Sequence, residues 1–167
     1  MKNDVQKTCA FIGHRPLNLS FGFDEEHATC VEIKERISDW IGIYVANGFN
    51  TFIYGGELGA DMWAAELVIQ LQRKLKNIKL YGVLPSGTHA DKWKPEQQER
   101  HFNILGKCEG VKTLNTIHTA NCIKQRNECK TFQRTILILY PLLIWQKTDS
   151  EHRPSAIWYK MWTCLPC

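Results

Sequence analysis

The sequence lacks the long apolar run that a membrane-spanning helix requires. Such a helix needs about 20 consecutive apolar residues, and the nearest approach is the run ILILYPLLIW at 136–145. The polar start, MKNDVQKTCA, also lacks the apolar core and cleavage site of a signal peptide. We therefore expect a cytoplasmic protein with no membrane partner.

Three common site motifs are also missing. There is no G-x-x-x-x-G-K-[ST] loop and no G-x-G-x-x-G fingerprint, which argues against an ordinary NTPase or dehydrogenase. The hydroxyl and imidazole groups of Ser86, Thr88 and His89 lie in no G-x-S-x-G elbow, so they do not indicate an acyl-transfer nucleophile. No metal or cofactor motif stands out, and we predict neither.

A basic stripe for a nucleic-acid backbone is absent as well. The formal net charge is +4, but residues 130–167 hold five Lys or Arg against two acidic residues, so the rest of the chain is nearly neutral. A phosphate backbone is normally held by clustered Lys and Arg. The charge distribution therefore disfavours a nucleic-acid partner.

The cysteines do not form a disulfide framework. Seven of them are scattered through regular-looking segments, an odd number that suits reduced thiols. The pair Cys164 and Cys167 has C-x-x-C spacing, but a redox pair needs a following helix to stabilise the thiolate, and here the chain ends.

Short apolar runs alternate with helix-like segments along the chain. Strands are predicted at 8–13, 51–54, 78–85, 110–114 and 135–140, and helices at about 24–47, 64–75, 96–105 and 121–130. This alternation predicts an α/β fold with a doubly wound, mainly parallel sheet and helices on both faces. We expect one domain over 1–140 followed by an atypical tail over 141–167.

The most informative stretch is TFIYGGELGADMWAAE at 51–66, where a strand meets paired glycines and then the first turn of a helix. Glycines permit close backbone approach, and a helix N-terminus attracts anions, although glycine can also merely relieve crowding in a turn. Ligands of such sheets bind beyond the carboxyl ends of the strands. The loops at 13–16, 55–59 and 85–89 should therefore line one rim, which predicts a site for a phosphate-bearing ligand.

Individual residues on this rim have competing interpretations. Arg15 can grip a phosphate with two parallel hydrogen bonds or be an ordinary surface arginine. Asp61 suits the helix dipole as well as contact with a ribose hydroxyl. Glu66 can be a buried acid that orients loops. Trp63 and Trp93 can stack on a base, although a helical tryptophan is usually core.

Four segments together resemble the YpsA-like family of the SLOG superfamily: GHRP at 13–16, GGELGADMWAAE at 55–66, LP with ADKW at 84–93, and KQRN at 124–127. The resemblance implies a Rossmann-like domain that binds a nucleotide or nucleotide-derived ligand, with members in bacterial signalling or stress contexts. The family pattern is matched at Glu66 and Asn127, and at every residue that we predict to contact ligand except Ser86. Those predicted ligand contacts are Gly13, His14, Arg15, Gly55, Gly56, Gly59, Asp61, Trp63, Ser86 and Arg126.

The resemblance also leaves two other functions open. One is a nucleotide N-glycosidic hydrolase like the LOG phosphoribohydrolases, with Glu66 or Asp61 as the catalytic acid, although the P-G-G-x-G-T-x-x-E motif of those enzymes is absent. The other is single-stranded DNA binding like that of DprA. The sequence identifies no catalytic residue, and it leaves a homo-oligomer open.

The chain departs from the family pattern after Cys129. Similar proteins continue with a glycine and threonine loop that closes the ligand site, whereas this chain has no glycine beyond 110. A reading-frame shift in the gene is one explanation, because back-translation of Ser150 to Pro166 in another frame permits a similar loop. A lineage-specific tail is the other.

Overall fold

The computed structural model describes residues 7–117, 119, 121–132 and 136–138. The described residues contain five strands: β1 Thr8–Ile12, β2 Thr51–Tyr54, β3 Lys79–Leu84, β4 Gly110–Thr113 and β5 Ile136–Ile138. Four α-helices connect them: α1 Ala28–Ala46, α2 Ala60–Gln72, α3 Pro95–Leu105 and α4 Cys122–Phe132. A short 3-10 helix, Pro16–Asn18, follows β1. The predicted tail over 141–167 and its origin lie outside the described residues.

All strand pairs of the sheet are parallel, in the order β4-β3-β2-β1-β5. From β1 to β4 the chain moves in one direction across the sheet, and β5 then returns to the other side of β1. Right-handed crossovers place helices on opposite faces when the direction of winding reverses. The switch point therefore lies at β1, where a ligand crevice is expected.

The two faces of the sheet bury different residues. Cys9, Phe11 and Phe52 pack with α1 and α2 in the larger core, and α3 joins them through Ile104. On the other face, Ala10, Ile53 and Val83 form a smaller cluster, against which α4 packs Cys129. This arrangement confirms the predicted α/β fold with a doubly wound sheet and helices on both faces.

The first helix begins later than its apolar periodicity predicts. Oδ1 of Asp24 accepts a hydrogen bond from the amide of Glu26 and holds a turn, and the helix starts only after His27, whose Nδ1 accepts from the amide of Thr29. A local side-chain acceptor competes with the helix for backbone donors. The helix end agrees with the prediction, since Asn47 caps it and Gly48 has a φ of +85°.

Within the described part of the chain, no helix is both long enough and apolar enough to cross a bilayer. The five cysteines that this part contains are free thiols.

Candidate functional site

A cavity of about 360 Å³ opens at the carboxyl end of β1, beside the switch point of the sheet. It is bounded by three parts of the chain: the end of β1 with the loop after it, the loop after β2, and one face of α4. Its lining residues are Phe11, Ile12, Gly13, His14, Arg15, Asn18, Glu57, Asp61, Ile123, Arg126, Asn127 and Lys130. The structure therefore brings the predicted loops at 13–16 and 55–59 together, and adds α4 to them.

A buried ion pair forms the floor of the cavity. Nζ of Lys130 lies 2.8 Å from Oδ1 of Asp61 and also donates a 2.6 Å hydrogen bond to the carbonyl oxygen of Phe11. The two side chains are 1% and 3% exposed. Burial lowers the pKa of Lys130, and the Asp61 carboxylate opposes that shift. The pair fastens α4 to the first turn of α2, where Asp61 lies.

The same Asp61 carboxylate occupies part of the predicted phosphate cradle. Its Oδ2 accepts hydrogen bonds from the amide of Gly55 at 2.9 Å and from the amide of Glu57 at 3.0 Å. The Gly55 amide is one of the donors that the sequence predicts for a phosphate. Asp61 therefore organises the glycine loop from within.

Glu57 lies between two arginines at the mouth of the cavity. Its Oε2 accepts a 2.6 Å hydrogen bond from Nε of Arg15, and its Oε1 accepts one of 2.6 Å from Nη1 of Arg126. Arg126 is further held by the carbonyl oxygen of Gly55 at 3.0 Å and by Oδ1 of Asn127 at 2.8 Å. The two guanidinium groups thus converge on one carboxylate, each through a charge-assisted hydrogen bond.

The glycines of the loop allow other parts of the protein to come close. A Cβ on Gly55 would stand 2.1 Å from Nζ of Lys130, and one on Gly59 would stand 2.7 Å from the carbonyl oxygen of His14. Gly56 and Gly59 also have φ of +75° and +86°, which side chains disfavour. Close approach is therefore needed here, and the groups that approach are α4 and the first loop.

The third predicted loop lies beside a different and smaller cavity. Its His89 lines a space of about 110 Å³ next to α3, together with His101. Nδ1 of His89 donates a hydrogen bond to the backbone carbonyl oxygen of Ser86. Ser86 itself is fully buried. Ser86 does not line the larger cavity, so the loop at 85–89 shares the rim with the other two loops but not their cavity.

Two further histidine contacts define this second region. Nδ1 of His101 is 2.8 Å from the hydroxyl oxygen of Tyr54, and the ring of His101 lies edge-on to those of His89 and Trp93. Burial, reinforced by the neighbouring His89, lowers the pKa of His101 to about 4. The imidazole of His101 is accordingly a neutral, packed group.

The structure differs from expectation at Trp63. Its indole is 2% exposed, lies in the core beside Phe21, and does not line the cavity. Trp63 follows Gly59 by four residues and lies on the side of α2 that faces the core. The apolar periodicity of the helix is compatible with this orientation. Trp93 packs against His89 and His101 instead of facing the larger cavity.

The two carboxyl groups suggested as catalytic acids are both engaged. Asp61 is bound by Lys130 and by backbone amides, as described above. Glu66 lies outside the cavity lining, where Nε and Nη2 of Arg100 donate to its two oxygens at 2.9 and 2.8 Å. Arg100 continues this network to Glu25 at 2.7 Å.

Among the charged residues that line the cavity, sequence reasoning missed two, Glu57 and Lys130. The available signal for Lys130 was its spacing, because it follows Arg126 by four residues and so shares that face of α4. For Glu57 the only available signal was its position between glycines. Among the described residues, no group of three or more His, Cys, Asp or Glu side chains is arranged to hold a metal ion.

The fold and this site define a Rossmann-like α/β domain with its cavity at the switch point of a parallel sheet. The sequence model of the YpsA family, described as the YspA SLOG family, matches residues 9–132. The chain therefore belongs to the YpsA family of SLOG proteins, as the sequence motifs indicated.

Curated relatives are uncharacterised bacterial proteins. The chain is 28% identical over 108 residues to a UPF0398 protein of Bacillus cereus (strain G9842), and equally to one of Bacillus thuringiensis (strain Al Hakam). In each case the match covers 65% of this chain and 58% of the relative. The chain thus matches little more than half the length of these relatives, and their names assign no ligand.

Proposed function

We propose that the cavity at the switch point binds a nucleotide or nucleotide-derived ligand through its phosphate, in a sensing or signalling role. One observation carries this proposal: the guanidinium groups of Arg15 and Arg126 converge on a single carboxylate, that of Glu57, at 2.6 Å each. Two arginines that meet on one anion form the kind of arrangement that holds phosphate oxygens.

The size and lining of the cavity support the same ligand class. Its volume of about 360 Å³ lies in the range of roughly 300 to 1,000 Å³ that is usual for small-molecule sites. The apolar side chain of Ile123 and the polar side chains of Asn18 and Asn127 line it beside the arginines. A nucleoside needs this combination of an apolar wall and hydrogen-bonding groups.

Binding is better supported than N-glycosidic hydrolysis. A general acid must reach the leaving group with a carboxyl that can give up a proton. Asp61 faces an ammonium group and two amides, and Glu66 is held by Arg100 away from the cavity. Neither carboxyl is placed for that role.

A thermal-shift experiment tests the proposal. Adenosine 5′-monophosphate, ADP-ribose and inorganic pyrophosphate are each titrated against the protein, since a ligand of the native state raises the midpoint of unfolding by mass action. Arg15→Gln should fold normally, because this side chain is 49% exposed, and should weaken binding about tenfold through loss of one charge-assisted hydrogen bond.

The matched control is Arg36→Gln. Arg36 is a similarly exposed arginine on α1 whose guanidinium pairs with Glu32, and it does not line the cavity. Its substitution removes the same charge and should leave the ligand-induced shift unchanged. No shift with any of the three compounds, or equal losses in both variants, would contradict the proposal.

A further inference from the structure

Glu57 occupies the place between Arg15 and Arg126 that the phosphate of a ligand would take. We propose that Glu57 is an internal anion that the ligand must displace, and that this exchange selects a terminal phosphate monoester or a diphosphate over a phosphodiester. The inference rests on the proposed function and names the ligand class of the same site.

The charges around the cavity give the reason for this selection. Lys130 is neutralised by Asp61, which leaves Arg15 and Arg126 facing the single negative charge of Glu57. A phosphodiester also carries one negative charge, so replacing Glu57 with it gains nothing in charge balance. A phosphate monoester carries about −1.5 to −2 at neutral pH and three terminal oxygens, so it matches two guanidinium groups better than a carboxylate does.

The contacts also show how Glu57 can leave without unfolding the site. Arg15 is 49% exposed, so its pair with Glu57 is screened by water and easily opened. Arg126 keeps its bonds to the carbonyl oxygen of Gly55 and to Asn127 when the carboxylate departs. The backbone amide of Glu57 stays bound to Asp61. Rotation of the Glu57 side chain is therefore sufficient to expose both guanidinium groups.

Isothermal titration at constant ionic strength and near-neutral pH tests the exchange. The probes are adenosine 5′-monophosphate, inorganic pyrophosphate and 3′,5′-cyclic adenosine monophosphate, which is a phosphodiester. The unaltered protein should bind the first two and bind the cyclic compound much more weakly. Glu57→Gln removes the competing charge and should bind all three about tenfold or more tightly, because both guanidinium groups are freed for the probe.

Two further variants sharpen the experiment. Glu32→Gln removes an equal charge from the exposed surface of α1, where Glu32 pairs with Arg36, and should leave the dissociation constants unchanged. Glu57→Asp shortens the side chain by one methylene, so it can hold only one of the two arginines well and should give an intermediate gain. This variant serves if Glu57→Gln does not fold by circular dichroism.

The possible results separate this inference from the proposed function. Equal or weaker binding in both Glu57 variants would overturn the displacement and make Glu57 a ligand contact, while the proposed function would stand. If the unaltered protein binds the cyclic compound as tightly as the monoester, the proposed selection is overturned. No binding of any probe by the unaltered protein or either Glu57 variant would overturn the proposed function, and this inference with it.

Discussion

Lys130 and Asp61 form an ion pair of 2.8 Å between residues that are 69 positions apart in the sequence. The pair is buried beneath the cavity, and it joins the last described helix to the first turn of α2, directly after the glycine loop. Because Asp61 also binds the amides of Gly55 and Glu57, the shape of the loop depends on this contact. The floor of the proposed site is thus stabilised by an ion pair within the protein and does not need a charged ligand for its shape.

Breaking this pair should destabilise the protein strongly. Lys130→Met leaves Asp61 buried without its counter-charge, which costs about 3 to 5 kcal/mol of unfolding free energy. Urea denaturation measures this loss. The double variant Asp61→Asn with Lys130→Met should recover part of it, since the uncompensated charge is gone.

The matched control is Lys124→Met on the same helix. Lys124 is 78% exposed and its distance to Glu128 is 3.9 Å, so we expect a change within about 0.5 kcal/mol. A loss at Lys130 no larger than that at Lys124 would contradict the role of the buried pair.

Gly59 and Gly42 should respond in opposite ways to alanine. Gly59 has a φ of +86° and a Cβ there would meet the carbonyl oxygen of His14 at 2.7 Å, so Gly59→Ala should lose about 2 kcal/mol or more of unfolding free energy. Gly42 lies in α1 with nothing within 4 Å of a Cβ, so Gly42→Ala should gain about 0.5 to 1 kcal/mol. Thermal denaturation gives both values, and a tolerated alanine at 59 would show that the first loop is not packed as described.

Stability should fall between pH 6.5 and about 4 because of His101. Burial lowers its pKa in the folded state from 6.5 to about 4, so the unfolded chain binds the proton more readily throughout this window. The contribution is complete above the unfolded pKa and is lost as the pH falls towards the folded one. The loss should amount to about 2 kcal/mol, given roughly 1.4 kcal/mol for each pKa unit and some relaxation of the buried site.

Urea denaturation at several pH values compares the protein with His101→Gln, whose amide can still pair with Tyr54. The variant should show a smaller pH dependence over the same window, because it lacks the imidazole whose pKa burial lowers. Identical pH profiles would show that His101 does not cause the loss of stability in this pH window.

Glu66 should matter for stability and not for ligand affinity. Its two hydrogen bonds to Arg100 are partly exposed, with side-chain exposures of 33% and 36%. Glu66→Gln should therefore lose only about 0.5 to 1 kcal/mol and leave the dissociation constant for adenosine 5′-monophosphate unchanged. A large loss of affinity, measured by titration, would show that Glu66 takes part in the ligand site, as the sequence first suggested.

The strand and helix order follows from local pattern, and so it could be predicted from the sequence. Apolar runs such as 51–54 are long enough to identify, and parallel strands bring the loops after them to one edge. Gly13 to Arg15 were accordingly predicted for the site, Arg126 was added by the resemblance to the family, and the structure places all four in one cavity.

The rest of the site depends on contacts between distant residues. A single sequence does not show that Lys130 meets Asp61, or that Glu57 lies between Arg15 and Arg126, because each pair is joined only after the helices dock. The burial of Trp63 has the same origin, since an indole at that turn of α2 can face core or cavity until α1 and Phe21 pack beside it.

We propose that the phosphate of the ligand binds between Arg15 and Arg126. A crystal structure of the protein with adenosine 5′-monophosphate, at a concentration near its measured dissociation constant, tests this most directly. We expect the phosphate within hydrogen-bonding distance of both guanidinium groups, with the Glu57 carboxylate turned away from them. A phosphate bound elsewhere on the rim, with Glu57 still between the two arginines, would contradict the account.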